Sequence, residues 1–436
     1  MNEHLSDLMA LLDGSHSPFH AVAQAAQRLQ QAGFKALNEC DVWQLAPGDR
    51  CYTTRNQSSI VAFRLPQEPI TSWRMAAAHS DSPTYRVKAD AWPGKGVCGM
   101  VRLPVEGYGG MIAASWMDRP LTVAGRALVR TSTGVESRLV HLDRDLVTIP
   151  SLAIHMDRTI NSGRELNAQQ DMQPLYGLEG APSLTQLVAQ ALGVDAADVV
   201  GTDLTLCPRQ KAVVLGGGEE LLQSPRLDDL ECAWGTLRGF LSAQPAPGTA
   251  AVWCMFDNEE VGSGTRQGAM SSFLPDVLAR IQSALGMDAQ QALAARAASL
   301  MLSADNAHAN HPNRGDKADP NSPVALNGGV VIKYNASQKY TTTGLTGALF
   351  AQICQKAGVP VQVFTNRADL PGGSTLGNLL SQQVSVPMVD VGLAQLAMHA
   401  CVETAGAKDP EYLLQACTAF YGADITCTGD GLYTLA

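Results

Sequence analysis

Apolar positions near the start of the chain repeat at helical spacing. Leu5, Leu8, Leu11 and Leu12 form one stripe, and a turn follows from Gly14 to Pro18. Ala21, Val22, Ala25 and Leu29 form a second stripe that stops near Gly33. Ser17-Pro18 is a helix start, because the fixed φ of proline suits the first helical position. From Cys51 to Ala78 the pattern turns strand-like, with apolar runs at Ile60 to Leu65 and Trp73 to Ala78. The second run leads straight into His79, Ser80, Asp81, Ser82 and Pro83. Between about 90 and 220 the texture changes. Short strand candidates, such as Leu121 to Arg130 and Leu146 to Ile149, stand among turn signals that include Gly94, Gly96, Gly99, Gly107, Gly109 and Gly110. A helix over Ser183 to Leu192 and a strand pair around Thr202 to Leu206 and Ala212 to Leu215 close this region. It reads as a β-rich insertion with its own small core.

After Pro225 helices and buried strands alternate. A helix over 229 to 242 precedes a strand over 250 to 256. A long helical segment from Pro275 to Ala298 breaks near Gly286, and the short run Leu300 to Ala304 ends in Asp305. Leu345 to Ala357 reads as a helix, Val359 to Phe364 and Ser385 to Val391 as strands, and Ala394 to Met398 as helical. The expected architecture is α/β: a catalytic domain from residues 1–90 and 222–436, with helices on both faces of a mixed sheet, interrupted by the β-rich insertion at 91–221.

Charge and composition narrow the function. Acidic residues exceed basic ones by 41 to 31, for a formal charge of −10. That balance argues against nucleic acid or an anionic membrane as the main partner. The ten cysteines form no CxxC pair, and several sit inside apolar runs, as reduced buried thiols do. The start of the chain lacks a basic, then apolar, secretory pattern, and no apolar run reaches membrane-spanning length. A cytoplasmic protein is expected.

The chemistry centres on Val252 to Gly268. A strand buried on both faces runs into Asp257, Asn258, Glu259 and Glu260, so adjacent carboxylates stand at its carboxyl end, where open α/β sheets build sites. One glutamate can bind a metal while the other takes a proton from a metal-bound water. An acidic turn capping a helix is the plainer alternative. Other edges carry similar side chains: His79 with Asp81, Asp228 with Asp229, Asp305 with His308, and His399. Such a set, with one bridging carboxylate, is what two zinc ions about 3.5–4 Å apart need. Manganese or cobalt are possible substitutes on the same donors. Singly, each has an ordinary structural reading, as a core histidine or a helix cap.

These residues lie in blocks that resemble the M18 family of metallo-aminopeptidases, the aspartyl aminopeptidase family. The blocks are AAHSDSP at 77–83, SPRLDDL at 224–230, FDNEEVGS at 256–263, SADNAHANHPN at 303–313, VVIKYNASQKYTT at 330–342, RADLPGGSTLG at 367–377 and MHACVE at 398–403, in the family's order. The resemblance implies a zinc-exopeptidase fold with an inserted dimerisation domain, and two zinc ions per subunit. His79 and Asp305 would bind one zinc, Glu260 and His399 the other, and Asp228 would bridge them. Glu259 would be the general base, and Asp81 would orient His79. The family's RLDN reads Arg-Leu-Asp-Asp here, which leaves Asp229 as a second carboxylate beside the bridge.

By the same resemblance His308, Lys333 and Tyr340 line the substrate pocket, and Lys333 is the cation for an acidic first residue of the peptide. The alternative for Lys333 is a surface lysine at a strand end. His155 matches a position that reaches a neighbouring subunit's site, and a structural role for it stays open. His311 braces its loop, and Gly372, Gly373 and Ser374 let backbone approach the site. The implied partners are peptide substrates and copies of the chain itself, as dimers assembling into a dodecamer. The implied activity is removal of the first residue of peptides, with Asp or Glu favoured and a leucine-like preference as the alternative. A deacylase of N-acyl amino acids and a non-catalytic shell protein are the rivals.

Overall fold

The computed structural model of the chain describes residues 3–89 and 97–436. The expected 90/91 boundary, Gly94 and Gly96 lie outside the described residues. A nine-stranded mixed sheet forms the centre. Its strands run in the order Lys35–Leu37, Arg50–Arg55, Ser59–Arg64, Thr249–Phe256, Ser72–His79, Leu300–Ala304, Met388–Gly392, Val330–Tyr334 and Val361–Thr365. The four strands from Thr249–Phe256 to Met388–Gly392 are mutually parallel, and antiparallel pairs flank them on both sides.

The two middle runs are apolar at nearly every position because both faces of the sheet are covered. Successive side chains point to opposite faces, and the two cores divide accordingly. Ala76, Ala78, Ala251, Trp253, Met255 and Leu302 belong to the core shared with the helices Glu3–Gly14, Leu227–Ser242, Gly344–Lys356 and Asp409–Gly422. Met75, Ala77, Val252, Cys254, Phe256 and Met301 join the other, under the helix Phe273–Ala284. Leu227–Ser242 is buried along most of its length. It lies against Asp409–Gly422 at close range, because a Cβ on Gly239 would meet the Cβ of Cys417 at 2.4 Å and one on Gly235 would meet Leu413 at 2.7 Å.

A second, antiparallel five-stranded sheet runs in the order Val105–Tyr108, Thr84–Val87, Val199–Pro208, Leu121–Thr131 and Gly134–His141, over a separate apolar core. Thr84–Val87 therefore joins the insertion's sheet although it precedes the expected boundary. A third sheet orders Val213–Leu215, Leu221–Ser224, Glu403–Gly406, Ala394–Leu396 and Ala307–His308. Two readings of the sequence are corrected here. The strands around Thr202 and Ala212 are not partners, since they belong to different sheets. Ala394 to Leu396 is a strand, because its short apolar run is held by Glu403–Gly406 and Ala307–His308 on either side. Leu146 to Ile149 forms only single bridges, at Val147 and Thr148. The predicted break at Gly286 is present, between Phe273–Ala284 and Ala289–Ala297. No helix among the described residues is long and apolar enough to cross a membrane.

Candidate metal centre

The parallel strands bring their carboxyl ends to one edge. His79 closes its strand and pairs in register with Phe256, so the turn holding Glu259 and Glu260 begins beside it. Asp305 follows the neighbouring strand Leu300–Ala304. Asp228 and His399 arrive from the third sheet, the first after Leu221–Ser224 and the second after Ala394–Leu396. Residues other than glycine adopt left-handed backbone at these bends, among them Arg226 (φ 60°), Asn258 (φ 65°), Ala397 (φ 57°) and His399 (φ 66°). Such residues persist where surrounding bonds over-determine them, and they cluster at functional sites.

Potential ligand atoms of His79, Asp228, Asp229 and Asp305 lie within 4.8 Å of one another, as do those of Asp228, Glu260 and His399; Glu259 joins His79 and Glu260 in a third such group. His79 Nε2 is 3.4 Å from Asp228 Oδ1, and His399 Nε2 is 3.4 Å from both Asp228 Oδ2 and Glu260 Oε2. Asp228 thus faces both histidines, one with each oxygen. Burial alone would lower the His79 imidazole, but Asp229, Asp228, Asp81 and Glu259 outweigh it and hold its pKa well above the usual value. Burial would raise the Asp228 carboxyl, yet His399 and His79 bring it below the usual range. Glu259 is pushed up to about 8 by burial and by Asp305, Asp81 and Asp228, against the lowering effect of His79. Glu260 and Asp229 are raised well above normal, again by burial first and then by nearby carboxylates.

Asp228 Oδ1, Asp229 Oδ1 and Glu260 Oε1 are buried with no hydrogen-bond partner. Buried oxygens of this kind are normally paired or bound to a metal. Two imidazoles and several carboxylates, with acceptors left open toward one another, fit zinc or a similar divalent ion.

A surrounding set of carboxylates holds the backbone of these residues. Asp81 Oδ1 accepts the N–H of Glu259 (3.1 Å), and its Oδ2 accepts that of Glu260 (3.2 Å) and the hydroxyl of Tyr108 (2.7 Å). The backbone oxygen of Asp81 lies 3.0 Å from His79 Nδ1. Asp229 Oδ2 accepts the N–H of His79 at 3.0 Å. Glu403 accepts the N–H of Asp228 (3.0 Å) and that of His399 (2.7 Å). Tyr108 also takes a bond from the Asn258 amide at 2.8 Å. Neither Tyr108 nor Glu403 stands out in the sequence. For Glu403 a signal existed, an isolated acid four residues after His399 within the MHACVE block; for Tyr108, on a strand of the insertion, there was none.

Lys333 is buried rather than on the surface, at 2% exposure. Its ammonium donates to the carbonyls of Asp305 (2.7 Å) and Asn306 (3.2 Å), and stands 5.2 Å from the centre of the Tyr340 ring. Phe364 links Tyr340 to His308, with ring centres 6.2 and 6.1 Å apart. His308, Phe364, Arg367, Gly372, Leu396 and Met398 line a cleft of about 350 Å³ that reaches Met398, the residue before His399. His311 accepts the N–H of Asn313 and so braces its loop. His155 is not brought into the cluster; it stands on an exposed turn beside exposed Leu152, Ile154 and Met156.

Comparison with known proteins places the chain in a family. Residues 11–421 match the family model described as aminopeptidase I zinc metalloprotease (M18). A "Probable M18 family aminopeptidase 2" of Clostridium novyi is 39% identical over 425 residues, spanning 95% of this chain and 98% of that protein. One of the same description from Pseudomonas aeruginosa is 40% identical, spanning 95% and 97%. Among solved structures, the cryo-EM complex of Ape4 and Nbr1 is similar with a TM-score of 0.92 at 35% identity, covering 96% of this chain and 85% of that one. The crystal structure of prApe1 is similar with a TM-score of 0.90 at 26% identity, covering 96% and 94%. The dodecamer of S. cerevisiae mApe1 gives 0.82 at 25%, covering 96% of each. With the family model matching residues 11–421 and relatives about 40% identical over 95% of its length, the chain belongs to the M18 family and is a metallo-aminopeptidase.

Proposed function

We propose that the protein is a di-zinc aminopeptidase in which His79, Asp228 and Asp305 hold one zinc and Asp228, Glu260 and His399 the other. The observation that carries this reading is the sharing of Asp228, whose two oxygens face two histidines in two separate ligand groups. Zinc, when bound there, makes a coordinated water acidic and polarises a peptide carbonyl. Glu259 is the proton carrier: Asp81 fixes its backbone, and its carboxyl accepts a proton from the water and returns it to the leaving amine. Asp81 also holds His79 in one ring orientation through its backbone oxygen. Asp229 secures the backbone of His79, and we leave the bridge with Asp228.

The substrates are peptides with a free first amine, and their first residue is assigned to His308, which lines the cleft, and to Lys333 and Tyr340, which are buried outside its lining. An acidic first residue suits the Lys333 charge. A second reading, preference for a neutral first residue, is favoured by one observation: two of the three Lys333 donors are committed to the Asp305 and Asn306 carbonyls. Hydrolysis of Asp-, Glu- and Leu-p-nitroanilide, with metal content measured, separates the two. In Glu259→Gln we expect zinc retained and kcat reduced by roughly 10²–10⁴-fold; full activity in that variant would remove Glu259 from its role.

The enzyme works in the cytoplasm as a self-assembly, with residues 91–221 as a dimerisation domain and dimers combining into a dodecamer. The resemblance to a dodecameric relative supports this, as does the exposed apolar group Leu152, Ile154 and Met156 around His155, which a neighbouring copy would cover. His155 then reaches the neighbour's site. Sedimentation showing only a monomer at micromolar concentration would withdraw the assembly.

A further inference from the structure

Glu403 belongs to none of the ligand groups, yet the two loops that bring Asp228 and His399 together meet on its carboxylate. It opens the strand Glu403–Gly406, whose register sets it opposite Ser224, the last residue of the strand leading to Asp228. One oxygen, Oε2, accepts the N–H of Asp228, and the other, Oε1, accepts the N–H of His399. The side chain is buried, at 2% exposure. Both loops carry left-handed backbone, at Arg226 and at His399 itself, a conformation that is disfavoured at a residue with a side chain. Something outside each loop must hold it, and one carboxylate with two acceptors holds both.

We propose that Glu403 is a positioning residue: by tying the backbone of Asp228 to that of His399 it sets the spacing of the zinc position formed by Asp228, Glu260 and His399. The inference rests on the di-zinc reading above. Asp228 serves both positions and His399 only one, so loss of Glu403 weakens the His399 position more than the His79 position. A glutamine there offers one acceptor oxygen, and its amide N–H₂ faces a second donor, leaving at least one backbone N–H unpaired.

The molecule supplies its own control. Asp409 is fully buried and likewise accepts two backbone hydrogen bonds, from the N–H of Asn327 (2.6 Å) and of Gly329 (3.0 Å), but it belongs to no ligand group. Full-length, zinc-loaded protein is equilibrated against a graded series of zinc buffers, and retained zinc and thermal midpoint are read for each variant. The wild type is expected to retain two zinc ions per subunit. Glu403→Gln is expected to hold the first as the wild type does and the second about 10–100-fold more weakly, the usual effect of removing a partner behind a metal ligand. Asp409→Asn is expected to lower the thermal midpoint and leave both affinities unchanged. Wild-type affinity at both positions in Glu403→Gln overturns the inference, and so does equal zinc loss in Asp409→Asn. Fewer than two zinc ions in the wild type overturns the di-zinc reading itself, and this inference with it. Should Glu403→Gln not fold, Glu403→Asp keeps the carboxyl group but withdraws it by one methylene; weakened binding of the second zinc supports the role, and wild-type binding overturns it.

Discussion

The side chains of the histidine and carboxylate cluster face a conflict at the residue scale. Asp228, Asp229, Asp305 and Glu260 are buried together, and like charges in a dry space raise one another's pKa. Asp229 shows where this conflict can be relieved. Its Oδ2 is occupied by the N–H of His79, a bond that an amide oxygen makes equally well, while its Oδ1 has no partner. Asp229→Asn is therefore expected to keep zinc and activity and to raise the thermal midpoint of chelator-treated protein. Loss of a zinc ion from this variant would make Asp229 a ligand. How much of the site was legible follows the same division. His79, Asp228, Glu260, Asp305 and His399 stand beside turn signals at strand ends; each alone has an ordinary structural reading, and it is their joint occurrence in ordered blocks that points to a site. Tyr108 and Glu403 act through bonds to a carboxylate or to backbone N–H groups. Such bonds depend on which strands become neighbours, which no spacing records for Tyr108, while for Glu403 only the four-residue step from His399 hints at it.

Elements pack at the limits their smallest residues set. Gly235 and Gly239 lie one turn apart on Leu227–Ser242 and face Leu413 and Cys417 of Asp409–Gly422. Glycine inside a helix costs about 1 kcal/mol relative to alanine, so here propensity yields to close approach. Gly239→Ala should destabilise the protein by about 1–3 kcal/mol, the usual cost of overpacking, read as a lower denaturation midpoint at an unchanged m-value. A neutral or stabilising result would mean that the two helices can part without loss. Period alone located the long elements: the stripes of Leu5 to Leu29, the double-faced runs at Trp73 and Val252, the break at Gly286. It failed at Ala394 to Leu396, where three residues are too few to show a period and the two neighbouring strands decide the conformation.

At the scale of the whole molecule, the amino-terminal helices meet the insertion's sheet through histidines. His16, between the first two helices, stacks on His141 at the end of Gly134–His141 with ring centres 3.7 Å apart, and His20 meets His16 edge-on. Around His16 stand His20, His141, Arg226, Asp143 and the Cys207 thiol; Arg209 also faces His141. Burial, then His141 and Arg226, lowers His16 to about 3 and His20 to about 4. Folded pKa values below the unfolded value of about 6.5 mean that the unfolded chain binds the extra protons. The contribution of this contact is complete above pH 6.5 and is lost as pH falls toward 4. The thermal midpoint should drop across that window, and His16→Asn should flatten the drop. An unchanged slope in that variant would assign the acid sensitivity elsewhere.

The order of strands in the central sheet has a further consequence, for the way the protein is made. Ser72–His79 ends early in the chain, but its neighbour on one side begins at Thr249 and on the other at Leu300. The whole insertion leaves the ribosome in between, and synthesis proceeds at only about 5–20 residues per second. During that interval His79 has no partner ligand, and the last member of the cluster, His399, emerges long after the others. Each growing chain thus completes the cluster around Asp228 only once His399 is out, and a chain that stops short of His399 leaves the ribosome without the complete cluster.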